Sequence, residues 1–212
     1  MMTISPRRIK AFLVDIGGVL VRVDSSRAIE KLSRKLKISG EAIKEAISAE
    51  YFNEYEKGNL NSNQFYEALL LNCKSSEEMD LFTFKAYWQD VLFPKTDSID
   101  FYKKLTQNYP TWLCSNTNDM HYDILMKNFP FMKWGMGGTY SFMVGSMKPD
   151  HLIYEHAIRK CGFRPEEILF IDDLEANVLA ARDLGLKSIQ FTTMDKLKDE
   201  LRTQFPELEQ LL

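Results

Sequence analysis

Residues 11–24 read Ala11-Phe12-Leu13-Val14-Asp15-Ile16-Gly17-Gly18-Val19-Leu20-Val21-Arg22-Val23-Asp24, and the first half of that stretch decides the fold. Ala11 to Val14 is an apolar run with the length and composition of a buried strand, and it ends on an acid. Burying a bare carboxylate is expensive, so a strand that stops on one is either capping its own turn or presenting the acid to a ligand. Gly17 and Gly18 permit a sharp turn and bring backbone close to whatever Asp15 faces. In an open parallel sheet, ligands sit beyond the carboxyl ends of the strands, which is where this Asp falls.

Downstream the pattern becomes helical for about seventy residues. Ser25 or Ser26 can cap a helix with Ile29, Leu32 and Leu36 on one face. A second helix starts after Ser39-Gly40, carries Ile43, Ala46, Ile47 and Tyr51, and ends near Gly58. Asn61 with Gln64 forms a capping box for a third that reaches Leu71, and Ser75 with Glu78 marks a fourth carrying Phe82, Phe84 and Trp88. Beyond Pro94, helices and strands alternate: a helix over 97–108, a strand at 111–114, a helix over 119–128, and a strand near 139–143. A helix over 150–161 stopped by Gly162, a strand at 168–171, a helix ended by Gly185 and a strand at 188–191 complete the series. This alternation predicts an α/β fold, a Rossmann-like parallel sheet with helices on both faces. The first strand must join that sheet, so the four helices read as an insertion. The expected division is residues 1–21 and 95–212 as core and 22–94 as a helical cap.

Each core strand stops on polar residues. The first ends on Asp15, the second on Ser115-Asn116-Thr117-Asn118, and the apolar Ile168 to Ile171 strand on Asp172-Asp173. Lys148 precedes Pro149 and the helix starting at Asp150, which puts a cation at a loop-to-helix junction. If those strands are neighbours, their carboxylates repel strongly unless a cation joins them. Hard oxygen ligands with room for water favour magnesium, held by one or two carboxylates and a substrate phosphate.

The order Asp15-x-x-Gly18-Val19-Leu20, then Ser115-Asn116, then Gly145-x-x-Lys148-Pro149, then Ile171-Asp172-Asp173-x-x-x-Asn177 resembles the four motifs of the haloacid dehalogenase-like hydrolase superfamily. The helical insertion resembles that superfamily's C1 cap. Within it, the Ser115 to Asn118 run and the Lys148-Pro149-x-x-x-Ile153-Tyr154 spacing are similar to glucose-1-phosphate phosphatase-type proteins and to the N-terminal phosphatase domain of soluble epoxide hydrolases. The resemblance implies a phosphatase in which Asp15 attacks phosphorus and forms an aspartyl-phosphate that water then hydrolyses. It implies Mg²⁺ held by Asp15, the backbone carbonyl of Gly17 and Asp173, with Asp172 supporting from behind. Ser115 and Asn116 would hydrogen-bond the phosphoryl oxygens, and Lys148 would offset the charge between Asp15 and the substrate. The implied substrate is a small phosphorylated metabolite, such as a sugar phosphate.

One departure matters. Most phosphatases of that superfamily carry a second Asp two positions after the nucleophile, which protonates the leaving group, and this chain has Gly17 there. General acid–base help is worth ~10²–10⁴ in rate, so the expected leaving group is one that needs little protonation, such as an anomeric hydroxyl or a carboxylate. Two other readings use the same residues. Dehalogenases of the superfamily also lack the second Asp but work without metal, and Asp172-Asp173 weighs against them. A catalytically weak regulatory or ligand-binding relative is permitted by the missing acid.

Composition bounds the rest. A formal charge of −3 over 212 residues offers no basic footprint and argues against a nucleic-acid partner. Cys73, Cys114 and Cys161 are odd in number and far apart, which suits reduced thiols and a cytoplasmic setting. Arg7, Arg8 and Lys10 before an apolar run resemble a secretion signal, but Asp15 interrupts it. No apolar stretch reaches the roughly 18 residues of a membrane span. Cys114 lacks the Arg that a Cys-x5-Arg phosphatase would need, since Met120 stands there, and His121, His151 and His156 have no metal-ligand spacing. The insertion's aromatics, including Tyr51, Phe52, Phe65 and Trp88, read as its own core. Asn53 to Gly58 is the segment placed to reach the substrate, and Asp24 reads as a helix cap at the hinge.

Overall fold

The computed structural model describes residues 8–47 and 50–212. Five strands form one parallel sheet: β1 (Ala11–Val14), β4 (Thr111–Ser115), β5 (Gly138–Tyr140), β6 (Ile168–Asp172) and β7 (Lys187–Gln190), in the order β5-β4-β1-β6-β7. β1 is central, and its Val14 pairs with Leu113 of β4 on one side and Ile171 of β6 on the other. The chain therefore moves outward on one side of β1 and then crosses to the other. That switch opens a crevice at the carboxyl ends of β1, β4 and β6.

Alternation along β1 divides the core into two layers, as a period of two requires. Phe12 and Val14 pack with Phe101, Tyr102 and Leu105 of α6 (Thr96–Asn108) and with Leu197 and Leu201 of α11 (Met194–Gln204). Ala11 and Leu13 pack on the opposite face with Ile153, Tyr154 and Ala157 of α9 (His151–Cys161) and Ala181 of α10 (Glu175–Asp183). The expected parallel sheet with helices on both faces is what forms. α11 and a final 3-10 turn at Pro206–Leu211 extend it beyond the elements read from the sequence.

Between β1 and α6 lie α1 (Ser26–Leu36), α2 (Gly40–Ile47), α3 (Glu50–Glu56), α4 (Ser62–Cys73) and α5 (Leu81–Trp88). They share a hydrophobic centre of Leu32, Leu36, Ile43, Phe65, Phe84 and Trp88, to which Met120 of α7 (Asp119–Asn128) adds. The second predicted helix falls on α2 and α3, and residues 48–49 between them lie outside the described residues. The capping box at Asn61 forms as expected: its side chain accepts from the backbone N–H groups of Asn63 and Gln64, and Gln64 returns a bond to its N–H. The fourth start differs. Asp80, not Ser75, caps α5 by accepting from Thr83 N, while Ser75 Oγ donates to the Leu36 carbonyl.

Two further differences concern short elements. β2 (Val21–Val23) and β3 (Leu92–Pro94) form an antiparallel ribbon where the chain leaves and re-enters the sheet layer, and segments this short carry no alternation to read. The strand expected near 139–143 ends at Tyr140, and Ser141–Val144 makes a helical turn, α8. Ser141 Oγ both donates to the Thr117 carbonyl and accepts from Thr117 N, which tethers this turn to the loop after β4.

Candidate active site

Asp15, at the end of β1, is buried, and its Oδ1 accepts from Ile16 N at 2.7 Å. Lys148 reaches it from the loop before α9: Nζ lies 2.8 Å from Asp15 Oδ1 and 2.6 Å from Asp172 Oδ2, and donates to the Cys114 carbonyl at 3.0 Å. The ammonium is thereby saturated by three oxygens from β1, β4 and β6. Burial alone pulls the Lys148 pKa down, but the two carboxylates outweigh it and hold the ammonium charged.

Asp172 is fully buried, and its other oxygen accepts from Leu174 N and from Asn177 Nδ2, each at 2.9 Å. It anchors Lys148 and has no oxygen left facing outward. Asp173, next in sequence, is partly buried and borders the crevice. Gly18 explains how it gets there. With φ +71°, a Cβ on Gly18 would stand 2.0 Å from Asp173 Oδ2, so only glycine admits the carboxylate.

Ser115 ends β4, and its hydroxyl makes only a long 3.4 Å contact with the Asn116 carbonyl, which leaves it able to turn to a ligand. Asn116 is more committed. Its Nδ2 donates to the Lys148 carbonyl at 2.8 Å and its Oδ1 accepts from Lys148 N at 2.7 Å, so the amide locks the lysine's main chain in place. Asp15, Gly17, Ser115, Asn116, Lys148 and Asp173 border one cavity of about 510 Å³. The site residues expected from the sequence are therefore brought together, with Asp172 directly behind.

The charge balance in this crevice suits a bound cation. Oxygens of Asp15, Asp172 and Asp173 lie within 4.8 Å of one another, answered in contact by the single ammonium of Lys148. Burial raises the Asp15 pKa, with Asp172 adding to the rise against the opposing pull of Lys148, and burial together with Asp172 raises Asp173. A divalent ion with oxygen preference fits this donor set.

Three nearby groups were assigned no individual role from the sequence. Lys95 borders the cavity, donates to the Gly18 carbonyl at 2.6 Å and lies over the Phe191 ring. Asn118 is fully buried and holds Glu56 of α3 through a 3.1 Å bond. Burial lifts the Glu56 pKa to about 7, against the lowering by Asn118 and Lys148. Glu56 lies in the segment expected to reach the substrate, and it meets the loop after β4, but it does not border the cavity around Asp15.

Comparison with known proteins places this arrangement in a family. A model of the haloacid dehalogenase-like hydrolases matches residues 9–185, and the chain belongs to that family. It is 25% identical over 202 residues to a D-ribitol-5-phosphate phosphatase of Bacteroides thetaiotaomicron, covering 86% of this chain and 91% of that protein. It is 26% identical over 213 residues to the drimenol cyclase DrtB of Aspergillus calidoustus, covering 93% of this chain but only 37% of the cyclase. The likeness to rat bifunctional epoxide hydrolase 2 is 34% identity over 71 residues, 32% of this chain and 13% of that protein. Among solved structures, a family enzyme of B. thetaiotaomicron crystallised with magnesium and inorganic phosphate superposes with a TM-score of 0.79 at 27% identity, covering 89% of this chain and 98% of that one. No described helix is long and apolar enough to cross a membrane.

Proposed function

We propose that this hydrolase is a Mg²⁺-dependent phosphatase that cleaves a small phosphate monoester through a phosphorylated Asp15. The observation that carries the reading is the buried Asp15–Lys148–Asp172 chain at the mouth of a cavity bordered by Ser115 and Asp173. Mg²⁺ would be held by Asp15, Asp173 and the backbone carbonyl of Gly17, with Asp172 behind, and would neutralise charge on the phosphoryl oxygens. The phosphatase relative and the magnesium–phosphate complex of the family structure support this assignment.

The chain's own residues then act in sequence. Lys148 holds Asp15 Oδ1 by a 2.8 Å contact and is itself oriented by Asp172 and by the Asn116 amide. The fixed ammonium tempers repulsion between Asp15 and an incoming phosphoryl group, an electrostatic contribution that needs no reorganisation at the moment of attack. Ser115 Oγ turns to a phosphoryl oxygen. Asp15 attacks phosphorus in line, the leaving oxygen departs with its electron pair, and water cleaves the acyl phosphate to restore the carboxylate. Residues 22–94 act as a cap over this crevice, with residues 1–21 and 95–212 as the core. Phosphate release from a panel of phosphomonoesters, with and without Mg²⁺ and with Asp15→Asn, tests the reading. Turnover confined to Mg²⁺ and abolished in Asp15→Asn is expected. Metal-independent release of halide from a 2-haloacid would replace it with the dehalogenase reading.

A further inference from the structure

A second cavity, of about 300 Å³, lies between the helices of the insertion and α7. Its walls include Val23, Ala28, Ile29, Phe52, Trp88 and His121. Val23 borders both this cavity and the one around Asp15, and its Cγ2 would stand 3.6 Å from a Cβ on Gly17. Val23 thus forms a wall common to both spaces, beside the position where the usual second acid is missing.

Two features suit an apolar occupant. Val23 is 55% exposed, an apolar residue left uncovered at that junction. The His121 ring stacks on Trp88 at 5.7 Å and 2°, and both line the cavity, so part of its wall is aromatic. Lys44 is the only formally charged wall residue, and burial lowers the His121 pKa to about 4, so the imidazole is neutral at ordinary pH.

We infer that this cavity receives the leaving group of the substrate, and that the leaving group is an aromatic ring system, so that the substrate class is an aryl phosphate. The inference rests on the phosphatase reading and narrows its substrate. In-line attack by Asp15 sends the leaving oxygen to the opposite side of phosphorus. An apolar cavity of ~150 Å³ accepts benzene, so 300 Å³ has room for a fused or substituted ring. Walls of this kind give a polyol's hydroxyls few partners, and unpaired hydroxyls are costly to bury. The chemistry agrees with the geometry. As the P–O bond breaks, the electron pair stays on the aryl oxygen as a phenolate while the Asp15–phosphorus bond forms. A phenol has a pKa near ~10, so its oxygen can leave without the proton that Gly17 cannot supply. Water then cleaves the phosphoaspartate, and the phenolate takes its proton from solvent.

The test compares 2-naphthyl phosphate, ribitol 5-phosphate and acetyl phosphate as substrates of the full chain with Mg²⁺. Acetyl phosphate has no ring and leaves as a carboxylate, so it reports the phosphatase reading alone, and no turnover of it or of any panel member would fail that reading. Given turnover, kcat/KM for naphthyl phosphate is expected to exceed that for ribitol 5-phosphate by at least ~10-fold. Ala28→Leu, which fills the cavity, is expected to lower the naphthyl-to-acetyl ratio at least ~10-fold. Independently of that variant's folding, free 2-naphthol is titrated against wild-type acetyl phosphate hydrolysis, with inhibition and quenching of tryptophan fluorescence expected. A preference for ribitol 5-phosphate, an unchanged ratio in folded Ala28→Leu, or 2-naphthol without effect would each overturn the inference.

Discussion

Replacing Lys148 by Met tests whether the buried ammonium holds the site together. Met keeps an unbranched apolar stem but removes the charge that lies 2.8 Å from Asp15 and 2.6 Å from Asp172. Both carboxylates are then left facing each other in a buried crevice, and removing one partner of a buried ion pair costs roughly 3–5 kcal/mol. In a domain of this size each kcal/mol moves Tm by about 2–4 °C, so a fall of about 6–20 °C is expected in metal-free buffer at pH 7. Calorimetric unfolding measures it directly. Asp172→Asn in the same background separates charge from packing: with the second carboxylate neutralised, the Lys148→Met penalty should shrink by about 0.5–3 kcal/mol. A Tm within a few degrees of wild type, or strict additivity of the two substitutions, would refute the picture of Lys148 as the shared counter-ion.

Gly18→Ala should be far more damaging than Gly17→Ala, because a Cβ at Gly18 meets Asp173 Oδ2 at 2.0 Å whereas at Gly17 it meets only Val23 Cγ2 at 3.6 Å. Mg²⁺ titration by calorimetry should show binding weakened only in the former. Gly17→Asp should raise kcat/KM on alkyl phosphates by up to ~10²–10⁴ and on acetyl phosphate much less, and equal gains on both would contradict the idea that a proton donor is missing there. His121 has a folded pKa of about 4 set by burial, below its unfolded value near 6.5, so the unfolded chain binds more protons between those limits. Stability should therefore fall as pH drops from about 6.5 to 4, by up to roughly 3 kcal/mol from this residue, and His121→Phe should flatten that part of a urea-unfolding profile.

The sheet and the grouping of the candidate site residues are largely legible, because each strand is an apolar run that stops on a polar group. Asp15, Ser115 and Asp172-Asp173 announce themselves by breaking hydrophobic runs, and adjacency in a parallel sheet does the rest. Their division of labour was less visible. The family resemblance implies a phosphate contact for Asn116, and its side-chain amide pairs with the Lys148 main chain across 32 residues, which no local pattern encodes. Asp172 and Asp173 are chemically identical neighbours, and only the strand's alternation turns one inward to Lys148 and leaves the other at the crevice. Ser75 and Asp80 compete as caps for one helix, and the winner depends on Ser75 being drawn to the Leu36 carbonyl on α1. Glu56 and Lys95 gain their surroundings purely from long-range packing.

The central claim is that Asp15 carries the phosphoryl group. Acid-quenching a reaction with acetyl phosphate and Mg²⁺ during a single turnover, then mapping peptides by mass spectrometry, addresses it most directly. The peptide containing Asp15 should gain the mass of one phosphoryl group, sensitive to hydroxylamine and absent from Asp15→Asn. Efficient phosphate release with no such adduct at any quench time, or with Asp15→Asn turning over as wild type does, would contradict the account.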